Sequence, residues 1–453
     1  MTTDLIKSKK LFVGIGSGAI QLGLWAYYAF LGGAEIVLSE VDAHKVASIR
    51  ANHQYYTINV AHFNKIVPVT VGPVYIYNPM VPSDRPKLLG ALAKANDVVT
   101  AVPSTALYTQ GGIAQLLREG LRDRKTPVMI YASENQVGAA RMLEHMVYEG
   151  EKKPDHVQFS ETVIERMGGA HTDEAFIQKL GLECITPSLK QALLVEEFDK
   201  IVVERDEIPA RYGFSTLFNC FVPTRDINLY EELKLLGHNA IHFMLGCIGK
   251  LKGYAYMSDY NGDADYEHVG CRALLDETGG WFKAKYRHSG ELVATEAGFE
   301  QWADQLTRRI ANPFLYDAVD RVIRDPGRKL GWNDRMTWTM REALAAGIEP
   351  RRYALGVAAA LLMVVPGQPA ESPWVYRDSM SREAALDHLE TIWGTAAEPD
   401  MRERLLSLVG KAVDVTQMWK QSGESSLYPF LLRKEYFPKV AVPVPLRRVQ
   451  RDL

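Results

Sequence analysis

Apolar and polar positions alternate along the first half of the chain with two different periods. The strand-like runs are short, apolar and closed by polar residues: "KLFVGIG", "AEIVLSEVD", "NDVVTAVP" and "PVMIYASEN". Between them, "AIQLGLWAYYAFLGG" and "GGIAQLLREGLRDR" carry apolar residues at helical spacing. This strand–helix alternation predicts a parallel α/β sheet. Ligands bind at the carboxyl ends of the strands in such sheets, so we expect residues 17, 102–105 and 133–135 to lie at one functional edge.

Beyond about residue 205 the pattern changes to long helical periods. The clearest examples are "NLYEELKLLGHNAIHFMLGCIGKLKG", "VGCRALLDETGGWFKAKY", "EAGFEQWADQLTRRIAN" and "RRYALGVAAALLMVV". Apolar positions that recur every three or four residues predict helices that each bury one face. We therefore expect a sheet domain over residues 1–205 and a mainly helical domain over residues 206–453.

Composition and charge narrow the classes of function. The 453 residues are 47% hydrophobic and 24% charged, which is typical of a globular protein. The net charge is only -3 and no block of like charges occurs, so we expect no nucleic-acid partner. The four cysteines form no CxxC pair, and neither a leader nor a long apolar run is found. These features predict reduced thiols, a cytoplasmic protein and no membrane partner.

The stretch "GIGSGAIQLG" follows the first strand and opens the first helix. Small residues in such a turn let backbone N–H groups approach a pyrophosphate, which the helix N-terminus also favours. Glu40 ends the next strand, where a carboxylate binds the adenosine ribose hydroxyls and repels a 2′-phosphate, so NAD is predicted rather than NADP. Gln21 takes the place of the third glycine, and an ordinary strand–helix turn is the alternative. The predicted cofactor-binding residues are Gly16, Ser17, Gly18, Ala19, Ile20, Glu40, Thr100 and Val102.

One helical stretch, "EELKLLGHNAIHF", combines Lys234, Asn239 and His242 with core residues. On a helix these three fall near one side. A lysine whose pKa is lowered by burial can take a proton from an alcohol, while an amide donates to the developing alkoxide. The alternative is a helix with a solvated lysine and a core histidine. A metal shared by His238 and His242 is a rival interpretation, but "HNAIH" lacks the glutamate of HExxH, so no metal is predicted.

The stretch "NPFLYDAVDRVIRDPGRKLGWNDR" crowds basic residues around a Pro-Gly turn. Guanidinium groups at a turn suit a phosphate or a carboxylate, and Arg324, Arg328 and Lys329 are the candidates for a substrate phosphate. The alternative is a charged loop that pairs with its own aspartates, Asp317, Asp320, Asp325 and Asp334. Spacing alone does not separate the two.

Taken together, these motifs resemble the polyol-specific long-chain dehydrogenases, the mannitol dehydrogenase family. The family signature K-x4-N-x2-H is matched at all three positions by "KLLGHNAIH". The resemblance implies Lys234 as general acid/base, Asn239 as a donor to the alkoxide and His242 as the group that orients the substrate. The pair E-N in "ASENQV" implies that Asn135 is a second donor to the alkoxide.

The basic stretch is similar to that of the mannitol-1-phosphate branch of the family, and the resemblance extends from about residue 10 to 365. It implies an α/β protein with an N-terminal Rossmann-type domain and a C-terminal, mainly α-helical domain. It implies metal-independent hydride transfer between NAD and a sugar alcohol, and the similarity to the mannitol-1-phosphate branch implies that this substrate is phosphorylated. It also favours a monomer. A free polyol or a hexuronate as substrate, or a non-catalytic NAD-binding regulator, are the alternatives. Gln21 and Leu22 depart from the glycine and arginine of the family's turn.

Overall fold

The computed structural model describes residues 9–198, 200–205, 211–363 and 375–437. The chain divides into two compact units. One contains the residues up to Lys234 together with Asn312–Leu315, and the other contains Leu235–Ala311 and the residues from Tyr316 onward. Within the described ranges, no helix has the length and apolar character needed to cross a membrane.

An eight-stranded sheet forms the centre of the first unit, in the order β12-β11-β8-β7-β6-β1-β2-β5. The strands from β5 to β8 in this order pair in parallel, as the alternating pattern predicts. They are apolar because helices cover both faces of a parallel sheet. The strands of the unit are β1 (Leu11–Ile15), β2 (Glu35–Ser39), β3 (Tyr56–Ala61), β4 (Ile66–Val71), β5 (Val74–Tyr77), β6 (Asp97–Thr100), β7 (Val128–Ala132), β8 (Val157–Ile164), β9 (Gly168–His171), β10 (Ala192–Glu196), β11 (Ile201–Glu204) and β12 (Phe221–Thr224).

Helices connect the parallel strands, and two hydrophobic clusters form under them. In one cluster Trp25 stacks on Tyr131 of β7 with ring centroids 5.6 Å apart. The helices of this unit are α1 (Tyr27–Leu31), which continues a π-helical turn (Gln21–Ala26), α2 (Ala43–Ala51), α3 (Arg85–Leu92), α4 (Leu107–Gln110), α5 (Ile113–Leu121), α6 (Ala139–Tyr148), α7 (Glu174–Leu180) and α8 (Ile227–Glu232).

A second, four-stranded sheet in the same unit was not predicted from the pattern. Its order is β4-β3-β10-β9, and β3 pairs in parallel with β10 from a distant part of the sequence. The first unit extends to Lys234. It includes β11, which pairs with β8, and β12, which pairs with β11, so both strands belong to the first sheet.

The second unit is built from helices in the described residues, as the periodicity predicts. Two of them pack closely where Gly356 faces Met244, because a Cβ at Gly356 would lie 2.3 Å from the Met244 Cγ. Its α-helices are α9 (Asn239–Lys252), α10 (Gly279–Tyr286), α11 (Glu296–Ile310), α12 (Val319–Ile323), α13 (Pro326–Lys329), α14 (Arg335–Ala345), α15 (Arg351–Leu361), α16 (Arg382–Trp393), α17 (Pro399–Ser422) and α18 (Tyr428–Leu431).

Candidate active site

The predicted nucleotide turn lies between β1 and the helix that starts near Ala19. Gly16 has a φ of +95°, and a Cβ there would lie 2.6 Å from the Ala101 carbonyl oxygen, so only glycine fits. Around Gly18, no atom of the described residues comes within 4 Å of a Cβ built at that position. The helix start is therefore open to a ligand, and a pyrophosphate fits this cradle of backbone N–H groups. Ala19 and Ile20 begin the helix and pack against the core.

Gln21, which replaces the third glycine, does not fill the turn. Its side chain is fully buried between the helix and the sheet, where Gly14 of β1 leaves room for it. A Cβ at Gly14 would lie 2.2 Å from the Gln21 Nε2, so the glycine of the strand compensates for the glutamine of the helix. Leu22, which replaces the family's arginine, is buried in the hydrophobic core. Both departures from the family pattern are thus accommodated away from the open side of the turn.

Glu40 is held beside this turn by two hydrogen bonds. Its Oε1 accepts from the backbone N–H of Asp42 at 2.9 Å, and its Oε2 accepts from the Ser17 hydroxyl. The carboxylate follows β2 at the carboxyl edge of the sheet, where a ribose-binding acid is expected. Lys45 also lies near this carboxylate, with Nζ 3.9 Å from Oε2.

Glu134 organises the neighbouring strand ends, and it was overlooked in the sequence because only Asn135 of the E-N pair was assigned. Its buried carboxylate accepts from the Thr100 hydroxyl at 2.9 Å, from the Val102 N–H at 3.0 Å and from the Tyr108 hydroxyl. The polar groups of Thr100 and Val102 are therefore engaged by protein. These two residues can shape a cofactor site. Asn135 lies three residues after the end of β7 and is exposed to solvent.

Lys234, Asn239 and His242 lie on one continuous helical segment. The segment begins at α8, where the Asp226 side chain accepts from the Leu229 N–H, and passes through a π-helical turn, Leu233–His238, into α9. In a π-helix hydrogen bonds join residues five apart, which is the spacing of Lys234 and Asn239. In the α-helix that follows, the three-residue spacing of Asn239 and His242 also favours one side. The sequence did not predict the π turn.

His242 has a buried acidic neighbour in the second unit. Its Nε2 lies 2.9 Å from Oδ2 of Asp317, and the two side chains are 12% and 3% exposed. The two groups form an ion pair when the ring is protonated. Oδ1 of Asp317 accepts from Arg321 Nε at 2.9 Å. Burial alone would raise the pKa of the Asp317 carboxyl, but His242 and Arg321 outweigh it and lower that pKa to about 2.

Glu231 is a further titratable group that the sequence reasoning missed. It lies three residues before Lys234 and is half-buried on α8. Burial, followed by the charge of Glu161, raises its pKa above the ordinary value of a glutamic acid. The E-x-x-K spacing was the available signal, since residues three apart are neighbours on a helix.

The basic segment divides into paired, exposed and buried cations. Arg328 Nε lies 2.5 Å from Asp325 and its NH1 lies 3.2 Å from Asp334, so the self-paired alternative applies to this residue. Arg324 is exposed. Lys329 is buried, donates to the Val322 carbonyl at 2.8 Å and lies over the Phe243 ring. Burial, with Arg335 nearby, lowers the pKa of Lys329 to about 8. Lys329 therefore faces the protein rather than solvent.

The rival metal interpretation depends on His238 and His242. The rings of His238 and His242 have centroids 5.9 Å apart. Within the part of the chain that the structure describes, no group of three or more His, Cys, Asp or Glu side chains is arranged to hold a metal ion.

Comparison with known proteins places these features in a family. A family model described as the mannitol dehydrogenase Rossmann domain matches residues 10–212, and one described as the mannitol dehydrogenase C-terminal domain matches residues 226–389. A mannitol-1-phosphate 5-dehydrogenase of Exiguobacterium sibiricum is 28% identical over 354 residues, which cover 77% of this chain and 84% of that protein. Its counterpart in Bacillus subtilis is 27% identical over 356 residues, covering 78% and 88%.

Solved structures agree on the fold. The Pseudomonas fluorescens mannitol 2-dehydrogenase, in a ternary complex with NAD and D-mannitol, matches with a TM-score of 0.63 at 16% identity, over 92% of this chain and 94% of that one. A substrate-free D-sorbitol dehydrogenase matches with a TM-score of 0.64 at 17% identity, over 93% and 95%. The predicted fold class and the predicted resemblance are confirmed, and the chain belongs to the mannitol dehydrogenase family.

Proposed function

We propose that the chain is an NAD-dependent dehydrogenase that interconverts a phosphorylated sugar alcohol and its ketose, of the mannitol 1-phosphate and fructose 6-phosphate type. Membership in the mannitol dehydrogenase family supports the polyol and NAD parts of this proposal. The phosphorylated substrate is supported by relatives named mannitol-1-phosphate 5-dehydrogenase. The observation that carries the chemistry is the helical segment that bears Lys234, Asn239 and His242 across a π turn.

In the proposed reaction, bound NAD accepts a hydride from the carbinol carbon, and the hydroxyl proton must leave at the same time. Lys234, as a neutral amine, takes that proton and returns it in the reverse direction. The amides of Asn135 and Asn239 donate hydrogen bonds to the developing alkoxide. His242 orients the substrate hydroxyls, and its position is set by Asp317. No metal is needed, because amide donors and the lysine supply the charge stabilisation.

Recognition of a phosphate is assigned to the basic segment. Arg324 and Arg328 are exposed, so their guanidinium groups can reach a ligand, although Arg328 would have to exchange an aspartate for it. The ammonium of Lys329 is buried and donates to the Val322 carbonyl, so Lys329 would support the backbone of the basic segment rather than contact the phosphate. Arginine binds phosphate in a bidentate manner, and this suits a substrate whose phosphate fixes its orientation.

The deciding experiment is oxidation of NADH with fructose 6-phosphate, beside fructose and fructuronate. Turnover confined to the phosphorylated ketose is the expected result. Turnover on fructose or fructuronate alone would keep the mechanism and replace the substrate. Arg328→Ala should raise KM for fructose 6-phosphate more than tenfold, since a charged hydrogen-bonded contact to phosphate is worth about 2 kcal/mol. Arg308→Ala is the matched control, because Arg308 is also exposed and pairs with an aspartate, Asp304.

A non-catalytic NAD-binding regulator is the second candidate, and the altered glycine turn is the observation in its favour. Gln21 departs from the glycine expected there, but its side chain is accommodated by Gly14 on the side away from the open turn. Binding of NADH without turnover on any polyol or ketose would favour the regulator over the enzyme.

A further inference from the structure

The carboxylate that is proposed to bind the cofactor ribose is accompanied by a lysine. Glu40 accepts hydrogen bonds from the Asp42 N–H and from the Ser17 hydroxyl, so its two oxygens are fixed in place beside the glycine turn. The Nζ of Lys45 lies 3.9 Å from Oε2 of Glu40 and 3.4 Å from the carbonyl oxygen of Ser17. The ammonium therefore stands between the acid of β2 and the backbone of the turn.

Lys45 is held in this place by its helix and by burial. The Asp42 side chain caps α2 by accepting from the N–H groups of His44 at 2.9 Å and Lys45 at 3.1 Å. The Lys45 side chain is only 14% exposed, and that of Glu40 is 11% exposed. A fully exposed lysine that moves among several rotamers would offset the negative charge of the acid only part of the time. This lysine is confined beside the acid and is screened less by solvent than a fully exposed pair.

The charge of this lysine changes what the ribose end of the site can accept. An acid at the end of the second strand favours NAD because it bonds the ribose hydroxyls and repels a 2′-phosphate, whereas a cation near that point accommodates the phosphate. Here both charges are present, and they offset each other. Lysine binds phosphate as a point charge and needs no bidentate geometry. Because Nζ already lies 3.9 Å from the Glu40 carboxylate, a phosphate on the ribose carbon beside the hydroxyls that Glu40 would bind can reach the same ammonium.

We propose that Lys45 makes the ribose end of the site tolerant of a 2′-phosphate, so that the protein binds NADP(H) as well as NAD(H). The inference rests on the proposed function in one respect, namely that the glycine turn holds a dinucleotide. The preference for NAD(H) over NADP(H) would then be weaker than Glu40 alone predicts. Lys45 is the residue that would determine how strongly the protein distinguishes the two cofactors.

Isothermal titration of the full chain with NADH and NADPH tests this without any polyol. Lys45→Met should raise the ratio of the NADPH Kd to the NADH Kd by about tenfold or more, because a charge-assisted contact to phosphate is lost. Lys45→Arg should keep the ratio near that of the parent chain, since the positive charge remains. Lys94→Met is the charge-matched control, because Lys94 is exposed beyond α3, and it should leave the ratio unchanged.

The outcomes separate this inference from the proposed function. A Kd ratio that is the same in Lys45→Met and in the parent chain would overturn the role of Lys45. If both proteins still bound NADH, the proposed dinucleotide site itself would stand. Failure of the parent chain to bind either cofactor would overturn both. If circular dichroism shows that Lys45→Met folds poorly, the salt dependence of NADPH and NADH binding to the parent chain tests the proposal instead. NADPH binding must then weaken more steeply with salt than NADH binding does, and equal slopes would contradict the proposal.

Discussion

Replacing Asp317 with asparagine removes one negative charge at the point where His242 and Arg321 converge. The carboxylate lies 2.9 Å from His242 Nε2 and 2.9 Å from Arg321 Nε, and its side chain is 3% exposed. Asparagine keeps the shape but carries no negative charge. The variant therefore removes the buried counter-charge of Arg321 and the acidic neighbour of the His242 ring.

The size of the effect follows from the pKa of Asp317, which is lowered from 3.8 to about 2. Each pKa unit corresponds to about 1.4 kcal/mol, so the ionised carboxylate contributes about 2 kcal/mol to folding. A lowered carboxyl pKa means that this contribution is complete above pH 3.8 and is lost as pH falls towards 2. At neutral pH, Asp317→Asn should therefore lower the free energy of unfolding by about 2 kcal/mol.

The assay is urea unfolding at neutral pH and at several values below pH 4, with Asp320→Asn as the matched control. Asp320 lies three residues after Asp317, in α12, but its side chain is 73% exposed and pairs with Lys250 at 2.6 Å. An exposed pair of this kind is worth less than about 1 kcal/mol. The gap between the parent chain and Asp317→Asn should shrink as the pH falls from 3.8 towards 2, because the carboxyl of Asp317 becomes protonated in the folded chain over that range.

Two results would refute this reasoning. Equal destabilisation by Asp317→Asn and Asp320→Asn at neutral pH would mean that the buried charge contributes nothing special. A gap that stays constant from neutral pH down to the lowest pH at which the chain folds would mean that Asp317 is not ionised in the way its surroundings indicate.

Three further predictions concern the chemistry and the turn. Lys234→Ala should lower kcat at least a hundredfold, which is the typical contribution of a general base, while NADH binding measured by titration persists. Lys250→Ala on the same helical segment is the control. Near-normal turnover of Lys234→Ala would contradict the proposed mechanism. Treatment with a chelator should leave turnover unchanged, and lost activity that returns with added metal would show the metal-free mechanism to be wrong. Gln21→Met should stabilise the chain by about 1 kcal/mol or more in urea unfolding, because neither amide atom of the buried Gln21 has a hydrogen-bond partner among the described residues; destabilisation would contradict this.

Local patterns were enough for the features that depend on neighbouring residues. The alternation of apolar runs and helical periods predicted the parallel strands β1, β2, β6 and β7, because each strand and its crossover helix are encoded within a short stretch. The glycine turn was predicted for the same reason. The placement of Lys234, Asn239 and His242 along one helical segment was also predicted from the sequence, although the π turn within that segment was not.

Tertiary structure decided what depends on residues far apart in the chain. The pairing of β3 with β10 joins distant segments, so no local period predicts the second sheet. The same holds for Gly14, whose missing side chain makes room for Gln21, and for Asp317, whose charge reaches His242 only after α12 packs on α9. Sequence by itself thus determined the type of the parallel strands and of the long helices, and the kinds of reactive group present. Packing determined which charges face each other, because burial and counter-charges depend on contacts that the chain order does not contain.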